Sequence, residues 1–338
     1  MKELLATLDT WRRDGVRVGR AMVIRTYGSA PRPEGAALLY AADGRVAGSV
    51  SGGCVEGAAA QEIAQAFETG RSKVVRYGVS DEQAWNVGLA CGGNIDVLIQ
   101  PDIPIEAESA ARSAGGVAVI TDLASSTRFV VGESDSDPTG QPADVVAAAR
   151  AALLRGTSRV VESEGREFFI EAYPLRPRLV IVGAVEIARA LVRLARELGF
   201  ATVVVDGRAA FATPERFPGV DALIVGWLDE VADHIGLSAN DAVAVLAHDP
   251  KLDDPALIEA FRRGCRYVGA LGSRKTQADR RERLRAAGIS AADIGRLHGP
   301  IGLDLGGRSP AETALAILAE VVAERYGVQL GLRAGASQ

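Results

Sequence analysis

The amino-acid sequence predicts an α/β protein of two domains, the second of which is a Rossmann-like, doubly wound parallel sheet. Its 338 residues exceed the length at which a single hydrophobic core usually continues to grow. After the proline-containing segment 174–177, strand and helix patterns alternate, which is typical of a parallel sheet covered by helices. We therefore expect an N-terminal α/β domain over residues 1–174 and the Rossmann-like domain over residues 177–330.

Composition is that of an ordinary globular protein. Hydrophobic residues make up 48% and charged residues 24% of the sequence, and no apolar run reaches the roughly 20 residues of a membrane helix. Acidic side chains stand near the start, where a secretory signal needs a basic segment, so we expect a cytoplasmic protein. The formal net charge is −5 and the basic residues are dispersed, which argues against a nucleic-acid partner.

Hydrophobic periodicity predicts the elements of the first domain. Leu4, Leu8 and Trp11 share one helical face, which predicts a helix over residues 2–14. The elements expected after it are strands at 18–27, 36–40 and 45–49, a helix at 54–68, strands at 73–77, 94–100, 117–121 and 129–131, a helix at 143–154, and a strand at 167–173. Glycine, proline and polar clusters separate these segments.

The second domain is predicted by the same criteria. Strands are expected at 178–182, 201–206, 222–225, 242–247 and 267–271, and helices at 187–198, 255–263 and 276–287. Ser309 and Glu312 have the spacing of a capping box, with Pro310 at the first helical position. This pattern predicts a last helix that ends near Tyr326.

The segment 48–56, with the sequence GSVSGGCVE, is the first candidate site. Its paired glycines precede a predicted helix whose first turn holds Cys54, so we expect unpaired amides and a positive helix end that favour anions and lower the pKa of the thiol. The alternative is a buried, structural cysteine beside a tight turn. The candidate binding residues of this segment are Ser51, Gly52, Gly53 and Glu56, with Cys54 as the candidate thiolate.

A second glycine pair follows another cysteine in Cys91-Gly92-Gly93. Glycine lets the backbone approach a ligand closely. Thiolates are the protein groups best able to carry sulfur or to bind a soft metal ion. If Cys54 and Cys91 converge, they form a thiol-lined pocket that accepts an anion. Structural zinc is disfavoured, since the chain has three cysteines and three histidines and lacks paired ligand spacing.

A third candidate site lies where a Rossmann fold binds a dinucleotide. Gly183 follows a predicted strand, and Asp206, with Arg208 after it, stands near the distance expected for a ribose contact. Val185 replaces the glycine that lets the backbone approach the pyrophosphate, and Glu186 adds a negative charge. The residue pattern leaves NAD(P) binding open.

Two further loops should lie at the same edge of the predicted sheet, where ligands of such folds bind. One contains His248, which is more often a structural hydrogen-bonding residue than a catalyst. The other contains Gly272, Ser273 and Arg274, whose amide, hydroxyl and guanidinium donors suit a phosphate.

Together these segments resemble the XdhC/CoxI family over almost the whole chain. In the first domain the matching stretches are 48–56 and 91–93. In the second they are 269–274, 300–304 and 309–312. Family members usually carry a Gly-Ala-Gly-His turn where this chain has Gly183-Ala184-Val185-Glu186, and a histidine is frequent at the position of Pro250. The departure at residues 183–186 argues against a nucleotide in that loop, and the intact thiol loops favour a cofactor in the first domain.

The resemblance implies a protein that binds molybdenum cofactor, protects it during sulfuration by a cysteine desulfurase, and delivers it to the apo-enzyme of a xanthine-dehydrogenase-type molybdenum hydroxylase. It also implies a homodimer, and an accessory protein rather than a stand-alone enzyme. Cys54 and Cys91 would approach the cofactor, and the glycine pairs would receive its phosphate or pterin. Two alternatives remain: an NAD(P)-dependent oxidoreductase that uses the Rossmann-like domain, and a non-catalytic scaffold that docks partner proteins.

Overall fold

The computed structural model describes residues 1–78, 93–133 and 138–328. The chain divides into two compact units, Met1–Leu175 and Arg176–Gln338. Each unit builds its own sheets and hydrophobic core.

A five-stranded antiparallel sheet begins the first unit. Its elements are a 3₁₀ turn at Lys2–Leu4, α1 (Leu5–Arg13), β1 (Val18–Tyr27), β2 (Ala37–Ala41), β3 (Val46–Gly48), α2 (Glu56–Thr69), β4 (Lys73–Tyr77) and β5 (Asn94–Gln100). The strand order is β3-β2-β1-β5-β4. Gly19 in β1 lets α2 pack closely on this sheet, because a Cβ atom at position 19 would lie 2.4 Å from Cγ2 of Ile63. The helix that follows the Cys54 segment is thereby fixed directly on the sheet.

A four-stranded antiparallel sheet completes the first unit. Its elements are α3 (Ile105–Arg112), β6 (Val117–Asp122), β7 (Arg128–Gly132), α4 (Ala143–Arg155), β8 (Arg159–Ser163) and β9 (Arg166–Tyr173). The strand order is β7-β6-β9-β8. The sequence pattern missed α3, whose buried residues are all alanines, and β8, whose one buried residue is Ser163. Neither segment carries the large apolar side chains by which a helix or strand is recognised.

The two sheets of this unit are joined by a buried ion pair. Arg20 of β1 donates two hydrogen bonds of 2.8 Å to the Glu171 carboxylate of β9, and its Nε donates to Gln100 at 2.6 Å. The side chains of Arg20 and Glu171 are 1% and 4% exposed. A pair so fully removed from water fixes how the sheets meet, because separating it would leave a buried charge unpaired.

The second unit is a six-stranded parallel sheet with helices on both faces. Its elements are β10 (Arg178–Val182), α5 (Glu186–Glu197), β11 (Ala201–Asp206), β12 (Ala222–Val225), α6 (Leu228–Val231), β13 (Asp241–Val245), α7 (Pro250–Arg262), β14 (Tyr267–Ala270), α8 (Arg274–Ala286), α9 (Ala291–Gly295), β15 (Leu297–His298) and α10 (Pro310–Tyr326). The strand order β12-β11-β10-β13-β14-β15 confirms the predicted α/β fold with a Rossmann-like sheet. The order reverses between β10 and β13, which is where ligands bind in folds of this kind.

The last helix begins as its sequence predicts. The Ser309 hydroxyl accepts the amide of Glu312, the Glu312 carboxylate accepts the amide of Ser309 at 2.9 Å, and Pro310 occupies the first turn. Gly327 ends the helix in a left-handed conformation. In the parts of the chain that the structure describes, no helix is both long and apolar enough to cross a membrane.

Candidate functional site

The segment 48–56 folds into a loop closed around the carboxylate of Glu56. This carboxylate accepts hydrogen bonds from the hydroxyls of Ser49 at 2.5 Å and Ser51 at 2.6 Å. It also accepts the amides of Val50 at 3.1 Å and of Ser51 and Gly53 at 2.9 Å. Burial alone would raise the pKa of Glu56, but the donors of Ser49 and Ser51 hold it at about 2. The carboxylate therefore acts as the internal anion of this loop.

The prediction that the amides of this loop are unpaired was wrong. The Ser51 hydroxyl accepts the amides of Cys54 at 3.0 Å and Val55 at 2.9 Å, while the Ser49 hydroxyl accepts the amide of Gly52 at 2.7 Å. With the amides that Glu56 takes, every amide from Val50 to Val55 has a partner within the loop. An external anion would have to displace these bonds.

Cys54 precedes the helix instead of standing in its first turn. The helix starts at Glu56 with Val55 as its N-cap residue, two residues later than the sequence pattern predicts. The bond from the Cys54 amide to Ser51 keeps this part of the chain in the loop. The thiol is half-buried against Val50 and the other core residues beneath it, and it forms no disulfide. Cys54 is therefore neither fully buried nor fully exposed.

Gly52 and Gly53 have backbone conformations that favour glycine, with φ of +81° and +120°. A Cβ atom on Gly53 would meet no atom of the described residues within 4 Å, so among these residues the space directly beside Cys54 is open. No described side chain therefore blocks the approach of a ligand to the backbone here.

The turn 28–33 brings the two glycine elements of the first unit near each other. A Cβ atom on Gly52 would lie 3.8 Å from Cβ of Pro31, and one on Gly93 would lie 2.3 Å from the carbonyl oxygen of Ser29. Both elements therefore contact the same turn, and at Gly93 the contact excludes any side chain. Cys91 and Gly92 lie outside the described residues, so the predicted approach of Cys91 to Cys54 stays a prediction.

A buried carboxylate that the sequence analysis missed lies in β5, three residues after Gly93. Asp96 of β5 accepts hydrogen bonds from Arg76 at 2.6 Å and from the Tyr27 hydroxyl at 3.0 Å, and pairs with Arg25 at 3.4 Å. The bonds from Arg76, acting against burial, hold the pKa of Asp96 below its ordinary value. The available signal in the sequence was an acidic residue between the apolar residues Ile95 and Val97. This network anchors the strand ends on which Gly28 and Gly93 stand.

In the second unit, Gly183 lies at the point where the strand order reverses. Its φ of +109° favours glycine, and a Cβ atom there would lie 3.0 Å from the amide nitrogen of Ala247. His248 follows Ala247 with an uncommon φ of +64° and an exposed side chain. The loops of Gly183 and His248 therefore meet in the crevice between β10 and β13.

The Asp206 carboxylate, which the sequence predicts as a ribose contact, already accepts hydrogen bonds from the protein. The fully buried Asp206 carboxylate accepts the amides of Ala184 at 2.7 Å and Arg208 at 2.9 Å, and two bonds from the Arg208 guanidinium at 2.9 and 2.7 Å. The adjacent cavity, which Trp227 also lines, encloses about 10 Å³, room for about one water molecule. With Val185 at the turn, these residues do not fit a dinucleotide.

The loop of Gly272, Ser273 and Arg274 lies at the same sheet edge. The Leu271 amide donates to the Val245 carbonyl at 2.9 Å, which places this loop next to the carboxyl end of β13. The Ser273 hydroxyl caps α8 by accepting the amide of Thr276 at 3.2 Å, so it serves the helix. Arg274 is exposed. The predicted convergence of the loops at residues 183, 248 and 272 at one edge agrees with the strand register.

Two family models match the chain. A model described as the XdhC and CoxI family matches residues 11–78, and a model of the XdhC Rossmann domain matches residues 179–321. The first range contains the Cys54 loop. The second contains the loops of Gly183, His248 and Gly272.

Named relatives are similar over nearly the full length. The chain is 27% identical over 336 residues to a probable xanthine dehydrogenase subunit of Bacillus subtilis, covering 95% of this chain and 97% of that protein. It is 28% identical over 306 residues to the molybdenum cofactor insertion chaperone PaoD of Escherichia coli, covering 90% and 82%. A crystal structure of a xanthine dehydrogenase from Bacillus halodurans matches with a TM-score of 0.68 and 25% identity, over 98% of this chain and 97% of that one.

Proposed function

The chain belongs to the XdhC/CoxI family, and we propose on this premise that it binds molybdenum cofactor and inserts it into the apo-enzyme of a xanthine-dehydrogenase-type molybdenum hydroxylase. The name of the Escherichia coli relative supports the insertion step, and that of the Bacillus subtilis relative supports the class of enzyme. In finer detail, we propose that the protein works in the cytoplasm as a homodimer. It would protect the cofactor while a cysteine desulfurase supplies the sulfur.

The observation that carries the proposal is the half-buried thiol of Cys54 beside open space at Gly53, on a loop whose amides are all satisfied internally. A thiol is the protein group best suited to a soft, sulfur-coordinated metal centre. The residues present thus fit the molybdenum end of the cofactor, and the bound cofactor would supply the metal whose terminal ligand is exchanged. Cys91, Gly92 and Gly93 are proposed to complete the same site.

The phosphate of the cofactor needs a donor other than the loop amides. Three of those amides already bind Glu56 and the other three bind the hydroxyls of Ser49 and Ser51. The negative charge of Glu56 also disfavours a second anion at the same place. Arg32 lies on the turn 28–33, which contacts both glycine elements, and its side chain is exposed and without an ion pair in the described parts of the chain. We assign the phosphate contact to Arg32, because a guanidinium forms strong, paired hydrogen bonds with phosphate oxygens.

In this arrangement Glu56 is a positioning residue. It stays ionised at physiological pH, since its pKa is about 2, and it holds the loop so that Cys54 stands at the edge of the core. Cys54 then contacts the cofactor, and Gly53 leaves the approach open. The chain's own residues would bind the cofactor and orient its metal end.

Equilibrium binding of molybdenum cofactor to the purified protein tests the proposal. Bound molybdenum would be measured by mass spectrometry after ultrafiltration, for the wild type and for Cys54→Ala, Cys91→Ala and Arg32→Gln. Each of these variants should bind less cofactor and activate less apo-hydroxylase, whereas Cys265→Ala should bind as the wild type does, since that cysteine is buried in the second unit. Unchanged binding by both Cys54→Ala and Cys91→Ala would remove the thiols from the mechanism. Recovery of a hydroxylase without any cofactor on the protein would favour a scaffold.

A further inference from the structure

The first unit also has a cavity, which lies far from the Cys54 loop. It has a volume of about 510 Å³ and is lined by three segments, 70–72 after α2, 101–104 before α3, and part of the β6–β7 turn with Arg128. Gly70 is the C-cap of α2 and the Cys54 loop precedes its first turn. Because α2 has 14 residues, about 20 Å of helix separates the two places. The cavity is therefore independent of the site assigned to the cofactor.

Arg128, the first residue of β7, is the unusual side chain of this cavity. It is half-buried, and within the described residues its guanidinium has neither a hydrogen bond nor an ion pair. Its Nε atom is fully buried without an acceptor. Burial holds the pKa of Arg128 below the ordinary value for arginine. A buried donor without a partner is costly, and an acceptor bound in the cavity would remove that cost.

The remaining charges leave the cavity positive. Arg71 lines it as a second arginine, exposed and without an ion pair in the described ranges. Asp102 also lines it, but Arg17 already holds that carboxylate with bonds of 3.1 and 2.9 Å. Glu106 acts on Arg128 through its charge without forming an ion pair with it. Of the described residues, the charged ones that line the cavity are thus two arginines without an ion pair and one aspartate already bound by Arg17.

We propose that this cavity binds a phosphate monoester, with Arg128 as the buried donor and Arg71 at the entrance. Guanidinium groups bind phosphate oxygens through paired, charge-assisted hydrogen bonds, which suits the fork of Arg128. Cavities of a few hundred Å³ accommodate small organic molecules, so the remaining volume takes the organic part of the ester. Inorganic phosphate shares the charged group and should bind more weakly.

Calorimetry in phosphate-free buffer tests this assignment, with inorganic phosphate and phenyl phosphate as the two probes. Phenyl phosphate should bind the wild type more tightly than phosphate. The Arg128→Gln variant should bind both probes at least about tenfold more weakly than the wild type does, and Arg71→Gln should lower the affinity by a smaller factor. Each variant removes a charge-assisted hydrogen bond. Arg155→Gln, which removes an exposed arginine at the end of α4, is the matched control and should bind as the wild type does.

Two results separate this assignment from a merely structural role of Arg128. The Glu106→Gln variant should bind phosphate about threefold more tightly, because it removes the opposing charge. Phosphate should raise the melting temperature of the wild type and not that of Arg128→Gln, whose own fold should be unimpaired since an unpaired buried charge has been removed. Equal binding by Arg128→Gln and the wild type, no heat with either probe, or a fold that fails when Glu106 is replaced would overturn the assignment. Cofactor binding at Cys54 should be unchanged in all these variants, so the two proposals can fail separately.

Discussion

Glu56 and Ser51 are joined by two hydrogen bonds, one from the Ser51 amide at 2.9 Å and one from its hydroxyl at 2.6 Å. The same hydroxyl accepts the amides of Cys54 and Val55, so a single serine links the carboxylate to the thiol-bearing part of the loop. Cys54 owes its position to this link and not to the end of a helix.

The Glu56→Gln variant should therefore loosen the Cys54 loop. The side-chain amide of the glutamine retains the shape of the carboxylate but has no charge. Its NH₂ group is a donor and would face the amides and hydroxyls of the loop, which are donors too. We expect a loss of about 1–3 kcal/mol in the free energy of unfolding, the usual effect of breaking hydrogen bonds to a charged group, together with weaker cofactor binding. Urea unfolding measures the first effect. Glu68→Gln, an exposed glutamate near the end of α2, should change neither quantity.

The contribution of Glu56 should depend on pH in a definite direction. Its pKa falls on folding from the ordinary 4.5 to about 2. A lowered pKa means that the ionised form stabilises the folded state, so the contribution is complete above pH 4.5 and is lost as the pH falls through about 2. The difference in urea midpoint between the wild type and Glu56→Gln should be constant near neutral pH and shrink toward pH 2. A difference that grows on acidification would contradict the assigned role.

Much of this fold follows from the sequence because its strands are short apolar runs with clear ends. The strands at residues 18–27, 73–77, 94–100 and 201–206 coincide with their predicted bounds. The helix α3 was missed because its buried face is made of alanine, which does not distinguish a core helix from a loop.

The glycine loops of the candidate site were also found from the sequence, but their chemistry was not. Gly52 and Gly53 have positive φ values, and the Gly53 amide points to the carboxylate of Glu56 three residues further along the chain while the Gly52 amide points back to the Ser49 hydroxyl. Local sequence does not specify that turn. Pairings such as Asp96 with Arg76, and Asp206 with Arg208, depend on neighbouring strands or on the exact turn after a strand. Sequence reasoning therefore located the loops but predicted free amides in the Cys54 loop, where every amide from Val50 to Val55 has a partner.

Breaking the Arg20–Glu171 pair should destabilise the first unit strongly. Both side chains are almost completely buried, so Glu171→Gln would leave the Arg20 charge without its counter-ion. We expect a loss of about 3–5 kcal/mol in the free energy of unfolding, the usual effect of removing one partner of a buried pair. Asp9→Asn, which removes a partner of Arg112 on the surface, should cost less than about 1 kcal/mol. Chemical denaturation compares the two, and the double variant Arg20→Met with Glu171→Leu should recover part of the loss.

Replacing Gly183 by alanine should be costly for two separate reasons. A φ of +109° is unfavourable for alanine. In addition, the alanine Cβ would lie 3.0 Å from the Ala247 amide nitrogen, where two segments of backbone meet. Gly199→Ala is the matched control, because Gly199 also has a positive φ, +78°, but a Cβ there would meet no atom of the residues that the structure describes within 4 Å. Backbone conformation alone should cost Gly199→Ala about 1 kcal/mol, and Gly183→Ala should lose at least about 1–2 kcal/mol more through the collision. Thermal unfolding of both variants measures the difference. Equal losses would mean that the crevice between β10 and β13 is looser than its contacts indicate, and that the Gly183 loop has room for a ligand that the structure otherwise excludes.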